Sequence, residues 1–243
     1  MTVPFVHLRL HSEYSLVDGL VKLKSLVSTT AERAMPALAL TDETNLFGLV
    51  KFYKAAQGAG LKPIIGSDLW LHNPHDESHP YRLTLLAMND VGYRNLTELI
   101  SKGWTHGQRQ GRAILDKQWV LEQSEGLIAL SGAREGEIGR HLLSDHEQDA
   151  RVLLEEWQAA FPERFYLELV RTGRPLEEAC VHASVKLAIE TGTPVVATND
   201  VRFLEREDYW AHETRVAIGE GKALDDPRRE RRYTEEQYLK SPD

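Results

Sequence analysis

Short apolar runs alternating with amphipathic stretches predict an α/β protein, and three observations carry that prediction. Seven runs of strand character recur along the 243 residues. Several of the stretches between them repeat apolar residues at helical spacing. Carboxylates follow four of the runs, where a strand gives way to a loop. The alternation suits a (β/α) barrel or a doubly wound sheet, both built from parallel strands.

The first run is His7-Leu-Arg-Leu-His11, which leads through Ser12, Glu13 and Ser15 to the turn at Asp18-Gly19. In an extended chain every second side chain shares a face. Val6, Leu8 and Leu10 then pack one way, while Phe5, His7, Arg9 and His11 point the other. Such a polar row lines a strand end that carries chemistry, or else wets the face of an edge strand. Leu20, Leu23, Leu26 and Val27 follow at helical spacing until Met35-Pro36, where proline disfavours helix in the residue before it. Ala37-Leu40 is the second strand, bounded by Thr41-Asp42-Glu43, and Leu46, Val50 and Tyr53 give a helix that ends near Gly58.

Lys62-Leu71 is the third strand, with its polar end at Gly66 to Asp68, and His72 to His79 is a polar loop. Arg82-Ala87 is the fourth, backed by a helix over Tyr93 to Ile100. Gly126-Gly132 is the fifth. A helix over Glu147 to Phe161 sets Val152, Leu153, Trp157 and Phe161 on its apolar side. Phe165-Val170, a helix over Glu177 to Thr191, and Pro194-Ala197 complete the series, and Asp200 follows at once. From Gly219 the chain turns charged and loses its periodicity.

Composition narrows the function classes. The hydrophobic content of 42% allows a full core. With 29 Lys and Arg against 37 Asp and Glu, the net charge of −8 argues against a broad electrostatic grip on nucleic acid or anionic lipid. The single Cys180 excludes an intrachain disulfide and a cysteine zinc cage, and suits a reducing compartment. No signal-peptide pattern and no long apolar run occur, so the expectation is a soluble, cytoplasmic protein. Phosphate-binding loops and a serine-hydrolase elbow are absent from the sequence.

Asp18, Asp42 with Glu43, Asp68 and Asp200 each lie near a strand end. Taken singly, such acids cap helices or close turns. Taken jointly, and with His11 beside them, they form an oxygen-rich set of the kind hard divalent cations use.

At HLRLHSEYSLVDG, ALALTDETNLFGLVKFY, KPIIGSDLW and VVATNDVRFL the sequence resembles the polymerase and histidinol phosphatase (PHP) domain family. The form it resembles is the proteobacterial one, carried by the DNA polymerase III alpha-subunit class of bacterial replicative polymerases. The likeness runs from about Phe5 to Tyr238 in one order. It implies a distorted seven-stranded (β/α) barrel over residues 1–218, with 219–243 a charged tail leading toward a polymerase body outside this sequence. Active members of that family bind metal ions at the strand ends and hydrolyse phosphoesters.

Carried over residue by residue, that metal set is degenerate here. The family's His-x-His is Arg9-Leu10-His11, while Asp18 keeps its place. Thr-Asp-His becomes Thr41-Asp42-Glu43, and a glutamate is shortened to Asp68. Histidine positions are taken by Arg82, Thr172 and Arg202, a cysteine or histidine position by Ala133, and Asp200 remains. A guanidinium has no lone pair to give a metal, but pairs with the carboxylate that a metal would have held. Arg9, Arg82 and Arg202 are therefore expected to replace cations with fixed charge among His11, Asp18, Glu43, Asp68 and Asp200, leaving no catalytic residue and no cofactor.

The resemblance thus implies a scaffold within a DNA-directed DNA polymerase. Its partners would be the remainder of the alpha chain, the proofreading exonuclease subunit, and DNA through the parent protein, with no membrane. The alternative is a residual phosphoesterase, a 3'-5' exonuclease or pyrophosphatase, using Zn, Mn or Mg on His11, Asp18, Glu43, Asp68 and Asp200. Arg228 to Arg232 reads as a solvated charged stretch and Cys180 as a packed small apolar residue.

Overall fold

Apolar side chains at helical spacing on either side of the four-residue run Ala37–Leu40 build the first core. In the computed structural model, which describes residues 5–109 and 111–242, that core gathers Leu10, Leu26, Leu38, Phe52, Val201 and Leu239 among others. The strands are β1 (Ala37–Leu40), β2 (Lys62–Leu71), β3 (Tyr81–Ala87), β4 (Gln108–Arg109), β5 (Arg112–Leu115), β6 (Leu127–Leu130), β7 (Phe165–Val170) and β8 (Val195–Thr198). The helices are α1 (Leu23–Glu32), α2 (Leu49–Gly58), α3 (Asp90–His106), α4 (Lys117–Glu122), α5 (Glu137–Leu143), α6 (Glu147–Ala160), α7 (Glu177–Thr191) and α8 (Tyr209–Gly219). None of them is long and apolar enough to cross a membrane.

The chain divides into two compact units. The first comprises Met1–Ile65, Arg171–Arg174 and Thr198–Asp243, and the second Gly66–Val170 and Pro175–Ala197. In the first, β1 runs parallel to the opening half of β2, with Ala37 opposite Lys62 and Leu40 opposite Ile65. In the second, β3 lies antiparallel to both β2 and β6, and β6 is parallel to β7. Trp157 of α6 stacks on Phe165 of β7 at 5.7 Å between ring centroids.

Three departures from the sequence reading have clear causes. The opening run is extended but is not a regular strand. Its backbone bonds go alternately to two neighbours, from Ala39 N to His7 O and from His11 N to Val201 O, so no continuous ladder forms. The buried Thr41 hydroxyl takes the place of a ladder partner, accepting from Leu10 N at 2.8 Å and donating to Leu10 O. Secondly, the sheet is not wholly parallel. Only residues 72–80 connect β2 to β3, too few for a crossover helix, so the two strands pair as a hairpin. Asp68 consequently lies in the middle of β2 rather than after it, directly opposite Thr84. Thirdly, among the described residues eight strands replace seven, because the unread hairpin β4–β5 more than offsets the loss of the first run.

Smaller corrections follow from burial. Val152 of α6 faces solvent, and Ala150, Leu154 and Trp157 form the apolar side. The helix read over Tyr93 to Ile100 extends to Asp90–His106, started by the Asn89 side chain, which accepts from Gly92 N. The segment after Gly219 is packed into the first unit. Tyr238 bridges Phe203, while Gln237 and Leu239 are fully buried.

Candidate functional site

His7, Arg9 and His11, which alternation places on one face of the opening run, are all buried. The row is therefore dry, and each charged group in it needs a partner close by. Arg9 Nε lies 3.2 Å from Asp200 Oδ1, and both side chains are fully shielded from water. Asp200 stands in the turn after β8 with φ of 50°, a left-handed conformation that is uncommon outside glycine. The surroundings over-determine it. Arg202 Nη2 donates to its Oδ1 at 2.6 Å, Gln237 Nε2 to its Oδ2 at 2.9 Å, and Arg174 Nη2 lies 3.3 Å from Oδ2.

Arg202 links this carboxylate to a second one. Its Nη1 donates to Asp18 Oδ2 and faces His11 Nδ1. A guanidinium carries only donors, so the imidazole meets it with a lone pair. His11 Nδ1 also lies 3.0 Å from Asp18 Oδ2, and Tyr233 donates its hydroxyl to Asp18 Oδ1. The turn that presents Asp18 is tight. A side chain on Gly19 would come within 2.2 Å of the Ser12 carbonyl oxygen, so only glycine fits there.

Electrostatics agree with the geometry. Burial alone would raise the Asp200 carboxyl, but Arg202, Arg9 and Arg174 together hold it well below the usual carboxylate range. Burial would likewise weaken the charge on Arg202, and Asp18 and Asp200 reverse that effect and keep it protonated. Burial, reinforced by Asp18, pushes the Tyr233 hydroxyl far up, so it remains a donor.

His11, Asp18 and Glu43 offer donor atoms that all lie within 4.8 Å of one another. Two of those three side chains are already engaged by Arg202 Nη1. A divalent ion placed there would sit against a guanidinium, and the donor set fits such an ion only if Arg202 withdraws. Asp42 lies outside the set. It accepts from Ser12 N at 2.7 Å and from Ser15 Oγ at 2.7 Å, which makes it a turn-holding residue.

In the second unit Asp68 pairs with Arg82. Arg82 Nη1 lies 3.3 Å from Asp68 Oδ2, diagonally across the β2–β3 hairpin, and Thr84 donates to Asp68 Oδ1 at 3.1 Å. The Arg82 guanidinium also lies on the ring of Trp70, its direct cross-strand neighbour, at 3.4 Å from the centroid. The structure thus brings Arg9, His11, Asp18, Asp200 and Arg202 into one cluster, with Glu43 beside His11 and Asp18. Ala133 and Thr172 are buried and bring no ionisable group.

Four contributors were not legible in sequence: Arg174, Tyr233, Gln237 and His212. All four lack a local motif, and three lie in segments without strand periodicity or in the charged tail. His212 is fully buried, and burial together with Arg202 lowers its imidazole to about 4 despite Asp18. The basic stretch also departs from a solvated one. Arg229 is buried against Glu213 at 2.7 Å, whereas Arg228 is exposed and pairs with Asp226.

Residues 7–172 match the PHP domain family. The DNA polymerase III subunit alpha of Pseudomonas aeruginosa is 60% identical over 242 residues, all but the whole of this chain and 21% of its own length. The corresponding subunit of Escherichia coli K12 is 51% identical over 237 residues, covering 98% of this chain and 20% of its own. The chain spans about a fifth of the length of these curated relatives. Among solved structures, an amidohydrolase from Chromobacterium violaceum with bound sulfate and no metal is similar at a TM-score of 0.54 and 17% identity, over 81% of this chain and 87% of that one. A two-domain protein from Bacteroides vulgatus, described as containing a predicted PHP-like metal-dependent phosphoesterase, is similar at 0.50 and 13%, over 81% and 51%. At such identities the likeness shows the fold, the PHP-like α/β class that the sequence predicts. This chain belongs to the PHP domain family.

Proposed function

We propose that this chain serves as the PHP domain of a cytoplasmic replicative DNA polymerase alpha chain, in which DNA synthesis resides in the remainder of the protein. In this reading the domain is a catalytically degenerate scaffold that stabilises the polymerase, docks the proofreading exonuclease subunit and needs no metal. One observation carries it: Arg202 spans Asp18 and Asp200, with its Nη1 against His11, where a PHP phosphoesterase would need open ligands. The relatives' names support the polymerase assignment. Phe47, just before α2, and Val50, in its first turn, are exposed and supply apolar surface of the kind a docked subunit covers.

The test combines capture and elemental analysis. The protein is expected to retain the exonuclease subunit in a pull-down and to contain no stoichiometric metal at the first-unit cluster. A second reading, a metal-dependent phosphoesterase working through His11, Asp18, Glu43, Asp68 and Asp200, is favoured by the 4.8 Å grouping of three of those residues. Zn, Mn or Mg bound at that cluster, with phosphoester hydrolysis abolished by Asp200→Asn, would establish this second reading and remove the first.

A further inference from the structure

A separate group of metal-ligating side chains lies in the second unit, where α5 gives way to α6. His141 sits in the last turn of α5, His146 immediately before α6, and Asp149 in the first turn of α6. One donor atom from each lies within 4.8 Å of the other two. We propose that His141, His146 and Asp149 form a binding site for a borderline divalent cation of the Zn2+ class.

The chemistry of the donors selects that class. Two imidazoles and one carboxylate suit zinc and its transition-metal neighbours, whereas magnesium and calcium take oxygen ligands almost exclusively. A tetrahedral zinc centre with bonds of about 2.0–2.1 Å places its ligand atoms about 3.4 Å apart. Closing the present group onto an ion therefore needs only side-chain rotation, and His146 and Asp149 are exposed and free to rotate. The backbone joining the ligands is already fixed. His146 N donates to His141 O at 2.9 Å, and Asp145 between them holds a left-handed φ of 59°.

A second observation points to a missing ligand. The Nδ1 atom of His141 is shielded from solvent yet has no hydrogen-bond partner among the described residues, a state that costs energy unless something coordinates it. The two imidazole centroids lie 6.0 Å apart with their planes tilted by 49°. The group lines a cavity of about 320 Å³ whose other walls include His75, Tyr81, Ser144 and Arg140. Arg140 is the opposing charge. It is committed to the carbonyl oxygens of His79 and Pro80 and lies over the Tyr81 ring. Three protein ligands leave a fourth position facing that cavity, open to water or to His75.

The site is tested in the full chain by titration with Zn2+ and with Co2+, whose visible absorption reports coordination number. One equivalent of each ion is expected to bind with the spectrum of a four-coordinate nitrogen and oxygen site. That equivalent should be lost in His141→Ala and in His146→Ala, and Asp149→Asn should weaken it about tenfold or more. His11→Ala should leave it unchanged, which separates this site from the first-unit cluster. The inference is overturned if no ion binds up to about 0.1 mM, if the His146 and Asp149 variants bind as well as the parent, or if the equivalent disappears only in His11→Ala. Because His146 and Asp149 are exposed, circular dichroism of their variants should match the parent, and loss of binding then reports the ligands and not the fold.

Discussion

Arg202 holds Asp200, two residues before it in the chain, through an Nη2 to Oδ1 bond of 2.6 Å that water does not reach. The same guanidinium donates to Asp18 from its other terminal nitrogen. One planar cation thereby neutralises two buried carboxylates, a task suited to the fork geometry of arginine and ill suited to lysine. Replacing it with a neutral side chain of similar length leaves Asp18 to Tyr233 and His11, and leaves Asp200 to Arg9 and Arg174. Arg202→Met is expected to destabilise the protein by about 3–5 kcal/mol in chemical denaturation, the range for breaking a buried pair from one side. Arg202→Lys should fall between the two, because a single ammonium reaches one carboxylate at a time.

The opposite deletion has a pH signature. Asp200→Asn keeps the side-chain shape, and asparagine tolerates the left-handed backbone that this position adopts. The three arginines around it then lose their central counter-ion. Because the folded carboxyl lies below its unfolded value, its contribution is fully present above the ordinary aspartate range near pH 4 and is lost as pH falls further. The parent protein should therefore lose stability below about pH 4 with a slope that Asp200→Asn lacks. Equal slopes in the two proteins would show that the carboxylate is not held down in the folded state.

His7 shifts stability at a higher pH. Burial is the largest influence on its imidazole and lowers it to about 4, against the opposing hydrogen bond between Nε2 and the Lys240 carbonyl. Unfolded histidine takes up a proton near pH 6.5, so the unfolded state binds more protons between those limits. Stability is complete above pH 6.5 and falls toward pH 4, by on the order of 3 kcal/mol for this one residue. His7→Gln, which keeps a donor for Lys240 O, should flatten that part of the curve. Proton titration by NMR should find His7 uncharged at pH 5.

Local rules carried much of the fold into the sequence reading. α7 is read to the residue over Glu177–Thr191, and β1 over Ala37–Leu40, because periodicity and flanking turn residues agree there. The polar row His7, Arg9 and His11 was visible for the same reason, since alternation survives even where the ladder is broken. What did not survive was direction. The sequence ends the third strand near Asp68, but the short link from β2 to β3 forces a hairpin and sets Asp68 in mid-strand. Gln237 and Tyr233 were invisible because their importance depends on a tertiary return of the chain, and neither spacing nor charge in 219–243 announces one.

That return makes the last segment a structural part of the first unit. Tyr233 donates to Asp18, Gln237 donates to both the side chain and the carbonyl of Asp200, and Leu239 lies fully buried in the core with Leu10 and Val201. Arg33 reaches the Leu239 carbonyl, and Asn199 donates to the carbonyls of Glu236 and Tyr238. Tyr233→Phe removes one donor from a buried carboxylate oxygen and is expected to cost about 1–3 kcal/mol. Leu239→Ala opens a cavity in the core and should cost about 2–5 kcal/mol. The two sites draw on different interactions, a hydrogen bond to Asp18 and apolar packing in the core. If 219–243 were a solvated appendage, both substitutions would leave the thermal midpoint unchanged. Packed as it is, the segment should also resist limited proteolysis after Arg231 and Arg232 in the parent protein and become cleavable there in Leu239→Ala, which a gel-based time course would read directly.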